Sequence, residues 1–151
     1  MQINESATYT VLIDSDKGEI ELELDPSLAP VTVNNFVSLA RDGYYNGLTF
    51  HRVVPEFVIQ GGDPTGTGSG GPGYRFPDEP VKGEYVDGAV AMANAGPDTN
   101  GSQFFICIDD CTSKLQPNYN LFGVVTRGLD IAKSISVGDK MNTVTVTENT
   151  K

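Results

Sequence analysis

From Glu19 to Leu24 apolar and acidic residues alternate without a break, Ile20, Leu22 and Leu24 against Glu19, Glu21 and Glu23. This is the period of a strand with one face on a core and the other in water. Tyr9 to Ile13 also suits a strand, and Asp14-Ser15-Asp16-Lys17-Gly18 connects the two. The connection superficially resembles a calcium loop but has neither the later ligands nor the distal glutamate, and a hairpin turn ending on glycine accounts for it. Met1 to Ala7 is polar and expected to be loose. After Pro30 the period changes. Val33, Phe36, Val37 and Ala40 recur at helical spacing between a proline suited to the first helical position and a closing Gly43, so an amphipathic helix lies on a sheet. In Phe50 to Asp63 the apolar residues Val53, Val54, Phe57, Val58 and Ile59 read as two short strands around a turn at Pro55. Further strands are expected at Ala89 to Ala93, Phe104 to Ile108, Leu121 to Thr126 and Thr143 to Thr147, with a second, short helix marked by Leu129, Ala132 and Ile135. Many short strands with turn signals between them, and only two helices set far apart, predict a mainly β chain closed into an antiparallel barrel rather than alternating βαβ units.

Length and charge narrow the possibilities. At 151 residues and 16.1 kDa the chain fits one domain (1–151, core about 8–148), and no internal repeat or linker divides it. Ten Lys plus Arg against 20 Asp plus Glu give a formal net charge of -10, which opposes nucleic acid and anionic membrane surfaces as partners. No apolar stretch approaches the roughly 20 residues of a membrane span, and no leader pattern opens the chain, so a cytoplasmic protein is expected. Cys107 and Cys111 are too few and too close to staple such a domain, in keeping with a reducing compartment. Asn4-Glu5-Ser6 and Asn100-Gly101-Ser102 match the glycosylation pattern, but that modification requires secretion.

Candidate chemistry concentrates in Phe50 to Asp63, which holds the sole histidine, His51, with Arg52 inside an apolar run and Gln60 at its far end. Two readings of Arg52 stand: a guanidinium satisfied by a nearby carboxylate or carbonyl, or one aimed into a cleft. Gly66-Thr67-Gly68-Ser69-Gly70-Gly71 formally satisfies the dinucleotide fingerprint. That fingerprint needs a helix directly after it to hold a pyrophosphate, and Pro72-Gly73 follows instead, so a tightly turned loop beside a cleft is the better account. One histidine and two cysteines without a base beside them give poor support to covalent catalysis, and no fourth ligand completes a zinc site. Cys107 reads as a small apolar core residue, the alternative being a redox pair with Cys111.

A second stretch, Met92-Ala93-Asn94-Ala95-Gly96-Pro97-Asp98-Thr99-Asn100-Gly101-Ser102-Gln103-Phe104-Phe105, completes a pattern with Phe50-His51-Arg52-Val53-Val54-Pro55 and Gln60-Gly61-Gly62-Asp63-Pro64. Together with Phe122-Gly123 these motifs closely resemble the cyclophilin family of peptidyl-prolyl cis-trans isomerases, over roughly Thr8 to Val146. The resemblance implies an eight-stranded antiparallel barrel capped by two helices, in agreement with the strand and helix pattern, and the short connection around Pro80 to Gly83 looks like the compact bacterial or archaeal members. It makes Arg52 the catalytic residue and places Phe57, Val58, Phe105, Leu115 and Tyr119 around the pocket for the substrate proline ring. Gln60, Ala93, Asn94 and Gln103 line the adjoining groove. Three positions depart from the family pattern: Val58 where methionine is usual, Tyr119 where many members have histidine and, with one inserted residue after Phe105, Lys114 at the rim where tryptophan is common. The implied partners are proline-containing peptides and unfolded or partly folded proteins, handled by a monomer without metal or cofactor, and Lys114 implies weak binding of cyclosporin.

Overall fold

The computed structural model describes residues 3–150. Eight antiparallel strands close into a barrel: β1 (Thr8–Ser15), β2 (Gly18–Leu24), β3 (Leu48–Val54), β4 (Val58–Gly61), β5 (Ala89–Met92), β6 (Phe104–Cys107), β7 (Leu121–Arg127) and β8 (Lys140–Asn149). Around it the order is β1-β2-β7-β5-β6-β4-β3-β8, with β8 returning to β1. β8 is longer than its alternation suggested because it serves two neighbours, pairing with β1 from Met141 to Asn149 and with β3 through Lys140 and Met141. The β1–β2 hairpin keeps Asp14 and Ser15 in the strand, so the turn narrows to Asp16 and Lys17. Asp16 is occupied as a strap, its carboxylate accepting from the Lys140 N–H at 2.9 Å and from Asn142 Nδ2 at 3.0 Å.

The opening segment differs from expectation. Met1 and Gln2 lie outside the described residues, but from Ile3 onward the chain is anchored: Ile3 packs on the core, Ala7 is buried, and the hydroxyl of buried Tyr9 accepts from the Asn4 N–H at 2.8 Å. Two apolar side chains and one aromatic anchor outweigh the polar composition around them.

β4, β5 and β6 are buried almost throughout, which strict one-sided alternation would not produce. Each strand serves two apolar layers. Ile59, Val90, Met92, Phe104 and Ile106 point into the barrel core with Leu22, Phe36 and Phe122. The intervening Val58, Ala89, Ala91, Phe105 and Cys107 form a second cluster on the outer face, roofed by Tyr85, Cys111 and Leu121. Period two thus supplies a core on one side and an apolar floor on the other.

Helix α1 (Pro30–Arg41) closes one end of the barrel with Thr32, Val33, Phe36, Val37 and Ala40 facing inward. Phe36 stacks on Tyr45 at 4.7 Å and meets Phe104 edge-on at 5.3 Å. Helix α2 (Leu129–Lys133) is a single turn started from Gly128 at φ 85. Ile135 is buried but follows the helix rather than ending it. Among the described residues, no helix is long and apolar enough to cross a membrane.

Candidate active site

The site lies on the outer face, above the floor of β4 and β6. A shift of register between Phe50 and Arg52 makes His51 a bulged residue. In a regular strand neighbours point to opposite faces; the bulge lets both His51 and Arg52 reach the same cavity. Register also pairs Arg52 with Gln60, and across that pair the guanidinium Nη1 donates to Gln60 Oε1 at 3.1 Å. Arg52 is exposed, and no carboxylate among the described residues lies within ion-pair distance of it. Its partner is the side-chain carbonyl of a neutral amide, so the guanidinium is satisfied in part by a carbonyl, not by a carboxylate, while it also lines the cavity.

The turn between β3 and β4, with Glu56 at φ 60 and the Phe57 N–H donating to Val54 O at 3.1 Å, lifts Phe57 to the rim. A cavity of about 540 Å³ lies beside it, and of the residues expected from sequence Arg52, Phe57, Val58, Gln60, Ala93 and Asn94 line it together with Phe105, Leu115 and Tyr119. Val58 and Phe105 form the apolar floor; Tyr119 stands edge-on to Phe105, ring centres 5.5 Å apart at 85°. Tyr85 holds that wall, its hydroxyl donating to Tyr119 O at 2.6 Å and accepting from the Tyr119 N–H at 3.1 Å. The Asn94 side chain is held by two bonds, Nδ2 donating to Asn118 O and Oδ1 accepting from the Gly96 N–H.

Gln103 lies in an adjoining cavity of about 760 Å³, which shares Gln60, Gly68, Ala93 and Asn94 with the first. Lys114 lines neither. Its ammonium folds back onto Glu56 O at 2.5 Å and lies 3.7 Å from Asp109, because the turn carbonyl and the carboxylate attract it more than an apolar cavity does. Sequence reasoning missed the cavity-lining role of His51, Thr67 and Gly68, and that of Tyr74, Arg75 and Thr99 in the larger cavity. His51 and Thr99 lay within the motifs without a role assigned to them, and for Thr67 and Gly68 the signal was the glycine density that predicted a loop beside a cleft.

The electrostatics follow from burial. It lowers the affinity of His51 for a proton, Arg52 acts in the same direction and Asp63 opposes both. Among the described residues, both ring nitrogens are shut from solvent without a hydrogen-bond partner. Burial pushes the Cys107 thiol well above its ordinary range, and it raises Cys111 too, against the bond from Cys107 and the charge of Lys114. Protonated thiols with no base beside them are poor nucleophiles. Cys111 instead donates from Sγ to Phe57 O at 3.4 Å, fastening the rim.

Such a site, a cavity with an apolar floor and the Arg52 guanidinium on its wall, agrees with the comparisons to known proteins. The family model for cyclophilin type peptidyl-prolyl cis-trans isomerases matches residues 9–151. Peptidyl-prolyl cis-trans isomerase B of Bacillus subtilis is 51% identical over 140 residues, covering 91% of this chain and 96% of that one. A peptidyl-prolyl cis-trans isomerase of Helicobacter pylori is 45% identical over 91% of this chain and 86% of its own length. Among solved structures, a cyclophilin type isomerase of Cryptosporidium parvum superposes with a TM-score of 0.86 at 33% identity, over 94% of this chain and 99% of that one. It has also been solved in the presence of the dipeptide Ala-Pro, with a TM-score of 0.85. The motifs around Arg52 and Gln103, the closed eight-stranded barrel and full-length relatives of one activity agree, and the chain belongs to the cyclophilin-type family as a peptidyl-prolyl cis-trans isomerase.

Proposed function

We propose that Arg52 catalyses rotation about the X-Pro bond by hydrogen-bonding the prolyl nitrogen at the transition state. Rotation must break C–N resonance against a barrier of about 18 to 20 kcal/mol, and as the amide twists the nitrogen pyramidalises and gains a lone pair. A guanidinium beside it stabilises the twisted state and hardly touches the planar one, which raises turnover rather than affinity. The observation that carries this reading is the Arg52 guanidinium on the cavity wall, bonded to neutral Gln60 rather than to a carboxylate. An ion pair would have spent its donors and its charge.

Bringing isomerisation from tens of seconds to about ten milliseconds requires roughly 4 to 5.5 kcal/mol. One charge-assisted hydrogen bond supplies about 1.5 to 3 kcal/mol. The remainder is assigned to fixation of the proline ring on Val58, Phe105, Leu115 and Tyr119 beneath Phe57, and to the Asn94 backbone N–H positioning the carbonyl that turns. Gln60, Ala93, Gln103 and Asn94 border the path of the peptide backbone. A relative solved in the presence of the dipeptide Ala-Pro supports proline-containing peptides as substrates, and the same X-Pro bond in unfolded or partly folded proteins makes these the expected clients. Free thiols at Cys107 and Cys111 support a reducing, cytoplasmic setting. One chain supplies the lining residues, from strands β3, β4 and β6 and from the loops between strands, which supports a single domain working as a monomer. Arg52→Ala is expected to cut kcat/KM about 100-fold with circular dichroism unchanged. Wild-type activity in that variant overturns the assignment.

A further inference from the structure

The glycine-rich loop, which holds no nucleotide fingerprint helix, is built around one carboxylate. Asp63 is 1% exposed and stands two residues beyond the end of β4, after Gly62. Its Oδ1 accepts from the Thr65 N–H and hydroxyl, both at 2.8 Å, and its Oδ2 from the N–H groups of Thr67 at 3.1 Å and Gly68 at 2.6 Å. The base of this post is fixed as well, since Ser102 Oγ donates to Gly62 O at 2.6 Å. Residues 64–69 are exposed and bring no apolar side chain to the core, so the shape of the loop depends on these bonds. A Cβ at Gly70 would collide with the Asp63 carboxylate and come within 2.8 Å of Thr65 Oγ1, which explains the glycine there.

The loop so shaped offers two carbonyls to one amide: Gln103 Nε2 donates to Gly68 O at 2.9 Å and Gly70 O at 3.1 Å. From that point polarity runs one way. Carbonyls only accept, so Gln103 turns its NH₂ to the loop and its Oε1 to Gln60, whose Nε2 donates to it at 3.1 Å. Gln60 therefore presents Oε1 to Arg52, which can only donate, at 3.1 Å. Loss of the loop carbonyls frees Gln103 to flip, and a flipped pair of amides would set an NH₂ against the guanidinium.

We propose that Asp63 is a positioning residue for Arg52, acting through the glycine-rich loop and the relay Gln103–Gln60. The role rests on Arg52 being the catalytic residue. Displacement of a catalytic group by about 1 Å costs up to about 100-fold in rate. Asp63→Asn keeps an acceptor for Thr65 but puts an NH₂ against the Thr67 and Gly68 N–H groups, and Gly70→Ala pushes on the carboxylate from the other side.

Turnover of a short proline peptide, measured by exchange NMR in the folded protein, tests this. Asp63→Asn and Gly70→Ala are each expected to lower kcat about 10-fold with KM changed less than about twofold. In a Gln103→Ala background the relay is already cut, so Asp63→Asn should cost less than about a further twofold. Should Asp63→Asn fail to fold, Gly70→Ala carries the same comparison. Wild-type kcat in the folded loop variants, or a loss that persists in full in the Gln103→Ala background, overturns the positioning role. Arg52→Ala at wild-type kcat overturns the arginine mechanism instead, so the two failures are distinct.

Discussion

Helix α1 begins without a cap of its own. Ala29 stands at the N-cap, no acidic residue occupies the first turn, and the free N–H groups are served from 48 residues away. Glu79 accepts from the Val31 N–H at 3.1 Å, the Thr32 N–H at 2.7 Å and the Thr32 hydroxyl at 2.6 Å. Asn120 locks the arrangement, its Oδ1 accepting from the Glu79 N–H at 2.8 Å and its Nδ2 donating to Thr32 Oγ1 at 3.0 Å. Glu79→Ala removes a cap worth about 1 kcal/mol. It also removes a carboxylate on the positive end of the helix dipole, worth about 0.3 to 1 kcal/mol and up to about 2 when partly buried. The fully buried Thr32 loses about 1 kcal/mol more through its hydroxyl. These contributions overlap, and a loss of about 2 to 4 kcal/mol is expected. Urea unfolding followed by circular dichroism measures it, with an unchanged m-value showing that the unfolded state is not the cause. At this chain length the same loss lowers Tm by about 5 to 15 °C. Glu79→Gln retains one acceptor but faces an NH₂ to the helix N–H groups, and should cost about half as much. A Glu79→Ala loss below about 0.5 kcal/mol would refute the clamp.

The other consequences are shorter to state. Burial alone would raise the proton affinity of Asp63, but the bonds from the Thr65 hydroxyl and from the amides of Thr65, Gly70 and Gly68 outweigh it, holding the carboxyl well below the ordinary range. A depressed folded-state pKa gives stability that is present above the unfolded carboxylate value of about 3.9 and lost as pH falls below it, so unfolding free energy should fall more steeply below about pH 4.5 in wild type than in Asp63→Asn. Equal slopes refute this. For cyclosporin, Lys114→Trp replaces an ammonium folded onto Glu56 O with a rigid apolar face, and calorimetric titration should show affinity rising about 30- to 1,000-fold if this rim position behaves as an interface hot spot. Equal affinity in the two proteins would place the rim contact elsewhere.

Strands and helices were legible because their signals are local. Alternation in β2 and helical spacing in α1 each sit within a dozen residues, and both elements form where those patterns lie. Their ends were less legible: β8 is extended by a second partner strand, and α2 stops before Ile135. The side each residue serves was not written locally at all. Phe104 and Phe105 are indistinguishable by composition, yet one fills the barrel and the other floors the cavity beside Arg52, a difference created only when β6 pairs with β4 and β5.

The site divides along the same line. Arg52, Phe57 and Phe105 lie in unusual motifs and could be picked out through family resemblance, but what aims the arginine is long-range. Arg52 meets Gln60 through strand register, the bulge lets both His51 and Arg52 reach one cavity, and Gln103 arrives from β6's approach 43 residues after Gln60. The glycine run shows how a real signal can mislead when read as a motif: its pattern fits a phosphate cradle, while Gly70 is needed because a buried carboxylate of the same chain occupies the space of its Cβ. Asp63 fills from inside the role that a bound anion plays in a phosphate loop, taking up backbone N–H groups. With those donors satisfied internally, the Gly68 and Gly70 carbonyls are held to orient Gln103, and through Gln60 the loop serves to aim a cation.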